Sequence, residues 1–353
     1  MQKNTVNITK KVAVVLLNWN GQQWLEKFLP TMIACSEDAT IILADNQSTD
    51  NSVVYVKENF KSVQIIVNNE NHGFAGGYNA ALTRLKDEFE YYAIVNTDIE
   101  VSANWLVPLV TFLDMNTSAF SVQPKILSQT NKSYFEYAGA SGGFIDKNYY
   151  PFCRGRIFNT VEKDHGQYDF SKEVFWTSGA CMLVDAKRFH AIGGFDDDFF
   201  AHMEEIDLCW RAKNMGWSCY VQPLAKVYHV GGGTLNYESP KKTFLNFRNN
   251  LMMIHKNHPK SLFFKIFLRL CLDGVAGIMF MLQGKPKHCF AIIQAHFAYY
   301  GKIPRLTAKR KAVQANRKGT NVTKGLYNGS ILSAYFLESK KNYNQLDQKK
   351  FEQ

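Results

Sequence analysis

Short apolar runs alternate with longer stretches of helical period through the first third of the chain. VAVVLL (Val12–Leu17), TIILA (Thr40–Ala44), VQIIV (Val63–Val67), YYAIV (Tyr91–Val95) and FSVQ (Phe120–Gln123) are bounded by turn residues and predict strands. Between them, Gln22–Cys35, Ser52–Asn59, Phe74–Leu85 and Asn104–Met115 space their apolar residues as helices do. Strand alternating with helix predicts an α/β fold around a mainly parallel central sheet. In such sheets ligands gather beyond the C-terminal ends of the strands.

The pattern loosens after Gln123 into an aromatic-rich stretch reaching about Phe170, with a Gly-rich AGASGGF at Ala138–Phe144. It tightens again from Val174. A strand is expected through FWTSGACMLV, then a short helix, an acidic cluster with its own helix, and strands around Ser218–Val221 and Ala225–Val230. From Pro240 the chain turns helical and basic. Residues 1–238 are therefore expected to form one catalytic domain, with halves at 11–124 and 125–238. A helical segment at 239–304 and a basic, polar tail at 305–353 would follow, the last thirty-odd residues mobile.

The helical segment changes the picture of location. Leu262–Leu282 holds 16 apolar residues out of 21, yet Lys265, Arg269 and Asp273 recur every fourth position as one polar stripe. A spanning helix would rarely turn that stripe toward lipid. A helix lying in the membrane surface, or one packed on its own domain, would carry it. The first apolar run, at Val12, is too short for a signal peptide or a span. Charge is uneven: up to Glu238 there are 20 Lys+Arg against 27 Asp+Glu, and from Ser239 onward 21 against 4, so −7 is followed by +17. That split favours an anionic membrane surface as partner. No nucleic-acid recognition module accompanies it, so specific nucleic-acid binding is not expected. Seven scattered cysteines without metal or redox spacing read as reduced thiols in the cytoplasm.

Candidate chemistry sits where the strands end. NWNG (Asn18–Gly21), DNQSTDNS (Asp45–Ser52), NNENHGFAGG (Asn68–Gly77) and NTD (Asn96–Asp98) close four successive strands with Asp, Asn, Ser and Gly. Each alone is a turn; four on one sheet edge favour a cleft for a polar ligand. Asp45 and Asp98 offer carboxylates for a base, a ribose or a hard divalent cation. A diphosphate leaving group needs such a cation, and His229, ahead of Gly231–Gly233, is a further ligand candidate that a structural role would explain equally well. HGFAGG opens a helix and would suit a phosphate at its N-terminus, but its spacing is neither the dinucleotide fingerprint nor a Walker loop.

The cluster from Asp196 to Asp207 crowds six acids into twelve residues. A helix N-terminus absorbs one or two of them. A carboxylate fixed there beside aromatic residues and other acids would have a raised pKa, suiting a general base. Glu204, Glu205 and Asp207 diverge around the helix, so at most one would serve.

Taken in order, VVLLNWNG, LADNQSTDNS, NHGFAGGYNAAL, IVNTDIEV, TSGACMLV, IGGFDDDFFAHMEEIDLCWR and VYHVGG resemble the family 2 glycosyltransferases. The nearest branch is the rhamnosyltransferase- and galactofuranosyltransferase-like enzymes of bacterial surface polysaccharides, and the likeness spans about Lys11 to Asn257. It implies a GT-A nucleotide-diphospho-sugar transferase fold and an inverting single displacement from a UDP- or dTDP-sugar to a glycan or polyprenyl-linked glycan. By the same resemblance Asp45 would contact the base, with Asn18, Asn20, Asn46 and Ser48 lining the pocket. His72, Gly73, Gly77, Asn79 and Asn96 would lie near nucleotide and sugar, and Gly179 and Ala180 beside the donor sugar. Trp176 would meet the acceptor. Asp98 and His229 would hold Mn2+ or Mg2+, and Glu205 would be the base, with Glu204 as alternative. The metal motif keeps one acid (Asn96-Thr97-Asp98), and the base pair reads Glu-Glu instead of Glu-Asp.

A sugar nucleotidyltransferase would share sheet and metal but would place a Gly-rich loop with a basic residue after the first strand, which NWNG lacks. A catalytically inactive nucleotide- or glycan-binding module would leave the base position free to drift, yet Glu205 is acidic. The expected location is the cytoplasm, peripheral on the inner face of the cell membrane.

Overall fold

The computed structural model describes residues 11–231, 239–318 and 324–351. The first apolar runs form β1 (Val12–Asn18), β2 (Thr40–Asp45), β3 (Gln64–Val67) and β4 (Tyr91–Asn96), which lie parallel in the order β3-β2-β1-β4. Helices α1 (Gln22–Ala34), α2 (Ser52–Asn59) and α3 (Gly73–Arg84) make the crossovers between them. Along β1, Val12, Val14 and Leu16 pack with Leu25, Leu29 and Trp105 on one face, while Ala13 and Val15 pack with Tyr78 and Leu82 on the other. Both faces are covered, so an apolar run without alternation is what such a strand requires.

The sheet continues with β5 (Ile99–Val101), α4 (Val107–Met115) and β6 (Ala119–Ser128). Next comes a second sheet, of β7 (Gly143–Asp146), β8 (Pro151–Cys153), β9 (Arg156–Ile157) and β10 (Thr160–Val161). The chain returns to the main sheet with β11 (Lys172–Val174) and β12 (Cys181–Asp185), then α5 (Ala186–Ala191), α6 (Glu204–Asn214) and β13 (Ser218–His229). Strand β12 enters antiparallel between β4 and β6, and β13 pairs parallel with β6. FWTSGACMLV is thus not one strand: β11 ends at Val174, residues 175–180 lie outside the strands, and β12 begins at Cys181. The two strands expected at 218–230 are one, irregular between Gln222 and Lys226.

Helices α7 (Pro240–Asn257), α8 (Phe263–Leu282) and α9 (Pro286–Ala315) complete the fold, with β14 (Leu326–Tyr327) joining the second sheet beside β7. Two expectations are corrected here. Helix α9 runs straight through the boundary placed at 304. The described part of the tail, 324–351, is packed, burying Tyr327, Ile331, Tyr343, Leu346 and Phe351 against Phe144 and Phe152. Aromatic residues supply the burial that a polar composition concealed.

Helix α8 is amphipathic in the opposite sense to a surface helix. Arg269 and Asp273 are buried, ion-paired at 2.7 Å, and held by Asn250 (2.6 Å from Arg269) and His296 (3.2 Å from Asp273). The polar stripe therefore faces the protein, and the apolar residues face outward. No helix among the described residues is long and apolar enough to cross a membrane.

Candidate active site

The C-terminal edge of the parallel strands gathers the polar residues read from the sequence. Asn18, at the end of β1, donates to Asp45 Oδ1 at the end of β2 (2.9 Å) and to Ser52 (2.8 Å). Ser48 donates to the same Asp45 oxygen at 2.6 Å, and its backbone N–H donates to the other at 2.9 Å. Asn20 takes a positive φ of 51° and accepts from Thr49 N at 2.7 Å, folding the loop over the pocket. Asp45 is thus a buried, fully oriented carboxylate at the mouth of the sheet. Asn46 Nδ2 donates to Gly73 O and Asn71 Oδ1, both at 2.9 Å, joining β2 to the start of α3. Gly77 is required there: a Cβ would lie 2.9 Å from both Asn46 Nδ2 and Leu17 Cδ1.

Three residues of this segment, Phe74, Ala75 and Asn79, are engaged elsewhere. The first amides of α3, Phe74 N and Ala75 N, donate to Phe200 O at 2.7 and 3.3 Å, so a protein carbonyl occupies the place where a phosphate was expected. Asn79 bonds Phe195 O at 2.8 Å and Asp197 Oδ1 at 2.5 Å, which fastens α3 to the acidic turn. His72, just before α3, is half-buried, 3.4 Å from Glu70.

At the end of β4, Asn96 donates its backbone N–H to Ala180 O (2.9 Å), and Asp98 follows. His229, closing β13, presents Nε2 to Asp98 Oδ1 at 3.1 Å and Nδ1 to Glu136 Oε2 at 3.1 Å. Burial disfavours charge on this ring, but the two carboxylates outweigh it and raise its pKa to about 10. For Asp98 and Glu136, burial is likewise outweighed by the imidazolium, and both lie below the usual carboxylate range. Sequence reasoning missed Glu136, which lies in the stretch without readable period. To bind between Asp98 and His229, a divalent cation would have to displace the proton that Nε2 shares with Asp98, leaving Glu136 to orient the ring from behind. Asp98 and His229 are two ligands, and no group of three or more candidate ligands occurs among the described residues. A cation there would share its coordination with substrate phosphates.

The acidic cluster separates into two groups. Asp207 is fully buried and paired with Arg211 (2.8 Å) and Lys256 (2.9 Å), with Asn257 donating at 2.7 Å. Asp196 pairs with Lys256 and Lys309, and Asp198 with Lys302 (3.1 Å), Arg305 (2.8 Å) and Lys309 (2.6 Å). These acids are structural, and Asp207 is thereby removed as a candidate base. From the basic C-terminal part of the chain, Lys256, Lys302, Arg305 and Lys309 are directed at this acidic turn.

Glu204 and Glu205 have no ion pair among the described residues. They open α6 after Phe200, His202 and Met203, whose φ values of 63°, 69° and 71° are left-handed. Asn249 fixes that strained turn by donating to the carbonyls of Phe199, Ala201 and His202 at 2.7–3.0 Å. Burial pushes Glu205 up to about 7. Burial and the Glu205 charge push the more deeply buried Glu204 higher still. One oxygen of each is enclosed and has no hydrogen-bond partner among the described residues. Glu205 lies beside Gly179, where a Cβ would be 3.6 Å from Glu205 Cβ and 3.1 Å from Phe74.

Trp176 does not face an acceptor. It is buried, donates from Nε1 to Phe144 O at 3.0 Å, and fills the space that a Cβ on Gly143 would take. AGASGGF thereby acquires its reason: its glycines let this loop close on Trp176 and Ser178. A cleft of about 810 Å³ has walls that run from Glu136, Tyr137 and Val230 to Phe280, Gln283 and His288.

The Glycosyl transferase family 2 model matches residues 13–171. The chain is 23% identical over 236 residues to the N-acetylglucosaminyl-diphospho-decaprenol L-rhamnosyltransferase of Mycobacterium tuberculosis, covering 63% of this chain and 76% of that protein. Its fold is similar to GalNAc-T7, solved with UDP, GalNAc and Mn2+ (TM-score 0.54, 14% identity, 72% of this chain, 48% of that one). It is also similar to the mannosyltransferase PcManGT from Pyrobaculum calidifontis, solved with GDP-Man and Mn2+ (TM-score 0.51, 13% identity, 87% of this chain and 86% of that one).

Proposed function

The chain is a glycosyltransferase of family 2, in the rhamnosyltransferase-like branch and with the GT-A fold, and from that premise we propose an inverting transfer in bacterial surface polysaccharide synthesis. The donor is a UDP- or dTDP-sugar and the acceptor a hydroxyl of a glycan or polyprenyl-linked glycan. The observation that carries this reading is Glu205: a carboxylate with one enclosed oxygen that has no hydrogen-bond partner among the described residues, beside Gly179, whose neighbour Ala180 accepts from Asn96 N at the end of β4.

Asp45, oriented by Asn18 and Ser48, accepts from the nucleobase, while Asn20 and Asn46 hold the loops around it. Glu205 takes the proton of the acceptor hydroxyl as that oxygen attacks the anomeric carbon. The bond from that carbon to the diphosphate oxygen breaks on the opposite face, and its electron pair leaves with the nucleoside diphosphate. Asp98 and His229 would hold a divalent cation, Mn2+ or Mg2+, which supplies positive charge beside the diphosphate. Gly179 and Ala180 leave room for the sugar, and Glu204, held neutral, keeps the base helix in place without competing for the proton. A pKa near 7 leaves Glu205 ionised in a large share of molecules at neutral pH while keeping it basic enough to accept.

Calorimetric titration with UDP and dTDP, each with and without Mn2+, tests the donor half of this reading. Metal-dependent binding by the wild type that disappears in Asp98→Ala supports it. Absence of binding by folded protein for both nucleotides overturns it.

A further inference from the structure

Helices α8 and α9 form a hairpin whose outer surface is apolar. On α8, Phe263, Phe267, Cys271, Val275, Ile278 and Leu282 follow one another at helical spacing, and all are exposed. On α9 the same holds for Phe290, Ile293, Phe297 and Tyr300. The exposure is large where it matters: Phe264 is 76% accessible, Phe297 69% and Leu282 83%. The charged residues that such helices normally turn outward, Arg269 and Asp273, are spent on each other, Asn250 and His296 inside the protein. An apolar face this continuous marks an interaction surface.

Charge decides the occupant. Between Phe263 and Ala315 the chain has nine Lys and Arg and a single acid, Asp273, which is buried. Lys285 and Lys287 sit exposed at the turn of the hairpin, Lys260 just before its start and Lys311 toward its end. A second copy of this face would bring like charge against like charge. A bilayer with anionic headgroups meets both demands, accepting the phenylalanines among its acyl chains and the lysines at its phosphates. The cleft beside Glu136 has Phe280, Gln283 and His288 of the same hairpin in its wall, so cleft and hairpin adjoin.

We propose that the outer face of the α8–α9 hairpin is an in-plane membrane anchor that seats Phe263, Phe264, Phe267 and Phe297 in the headgroup–acyl boundary of an anionic leaflet. It serves the transferase reading by bringing the cleft to a lipid-borne acceptor. Docking itself is read without donor or acceptor, so its failure leaves that reading standing.

The test is flotation of the full chain with phosphatidylcholine vesicles, with and without about one third phosphatidylglycerol. Wild type is expected to float with the anionic vesicles and to do so at least about tenfold less with the neutral ones. The exposed-face variant Phe264→Glu/Phe267→Glu/Phe297→Glu is expected to lose flotation, with an unchanged circular dichroism spectrum and melting curve. Lys285→Ala/Lys287→Ala, confined to the exposed turn, provides a second variant and is expected to weaken anionic binding several-fold. Wild type that floats with neither vesicle, or a folded triple variant that floats as well as wild type, overturns the proposal. So does a concentration-dependent dimer in sedimentation velocity that the triple variant abolishes, which would assign the face to a second copy.

Discussion

Lys256→Met isolates the network that braces the acidic turn. Lys256 is almost fully buried and sits between Asp207 (2.9 Å) and Asp196. Methionine keeps the length of the side chain and removes the charge, leaving two buried carboxylates short of a cation. Breaking a buried pair in this way costs about 3–5 kcal/mol. Asp207 retains Arg211 and Asn257, and Asp196 retains Lys309, so the low end, about 3 kcal/mol, is expected. With an unfolding entropy of roughly 2.1 cal/mol/K per residue, the whole chain would melt about 4 °C lower. Urea unfolding followed by circular dichroism measures the difference directly. The acid limb gives a second reading. Burial opposes the charge of Asp196, but Lys256 outweighs it and holds the carboxyl well below its ordinary value. The stability this contributes is present above the unfolded-state pKa, near 3.9, and is lost as pH falls toward the folded value. Wild type should therefore lose stability over that window, and Lys256→Met should lose less. Adding Asp196→Asn to the variant should restore part of the loss. A change under about 1 kcal/mol at neutral pH, or an unaltered acid limb, would refute the account.

Replacing Glu205 by Gln should lower transfer by about 10²–10⁴ while leaving donor affinity within a few-fold. The wild-type rate should climb as pH rises through about 7, because the base must be ionised to act. Retained transfer in that variant would move the role to Glu204. Gly77→Ala should weaken nucleotide binding by calorimetry, since its Cβ would press on Asn46 and Leu17 at 2.9 Å; unchanged affinity would show that the Asn46 loop yields freely.

The parallel half was legible because each strand is short, apolar and followed by its own turn residues, so β1 to β4 lie within a residue or two of their expected limits. Asn18, Asp45, Ser48 and Asp98 shared an edge for the same reason. What failed to show were facts of long range. Nothing around Lys256 or Asn249 marks them as partners of a turn about fifty positions earlier. FWTSGACMLV has strand composition throughout, yet strand begins only at Cys181, and Gly179 ahead of it sits where a Cβ would come within 3.1 Å of Phe74. For α8 the period revealed the stripe of Lys265, Arg269 and Asp273, but period carries no sign. Only Asn250 and His296, placed by other helices, decide that the stripe points inward. Trp176 was assigned by resemblance, and its burial depends on glycines thirty residues away.

The second sheet receives its last strand from the far end of the chain: Ile331 N meets Asp146 across 185 residues. During synthesis at roughly 5–20 residues per second, the Phe144 and Phe152 surface waits about 10–40 s for the segment that covers it. The parallel strands β1 to β4 are synthesised long before that segment. The ribosome thus releases the nucleotide-side strands attached to an unfinished partner. Holdase chaperones would find their binding site on the aromatic face of that second sheet, and their absence should convert yield into aggregate through that face first.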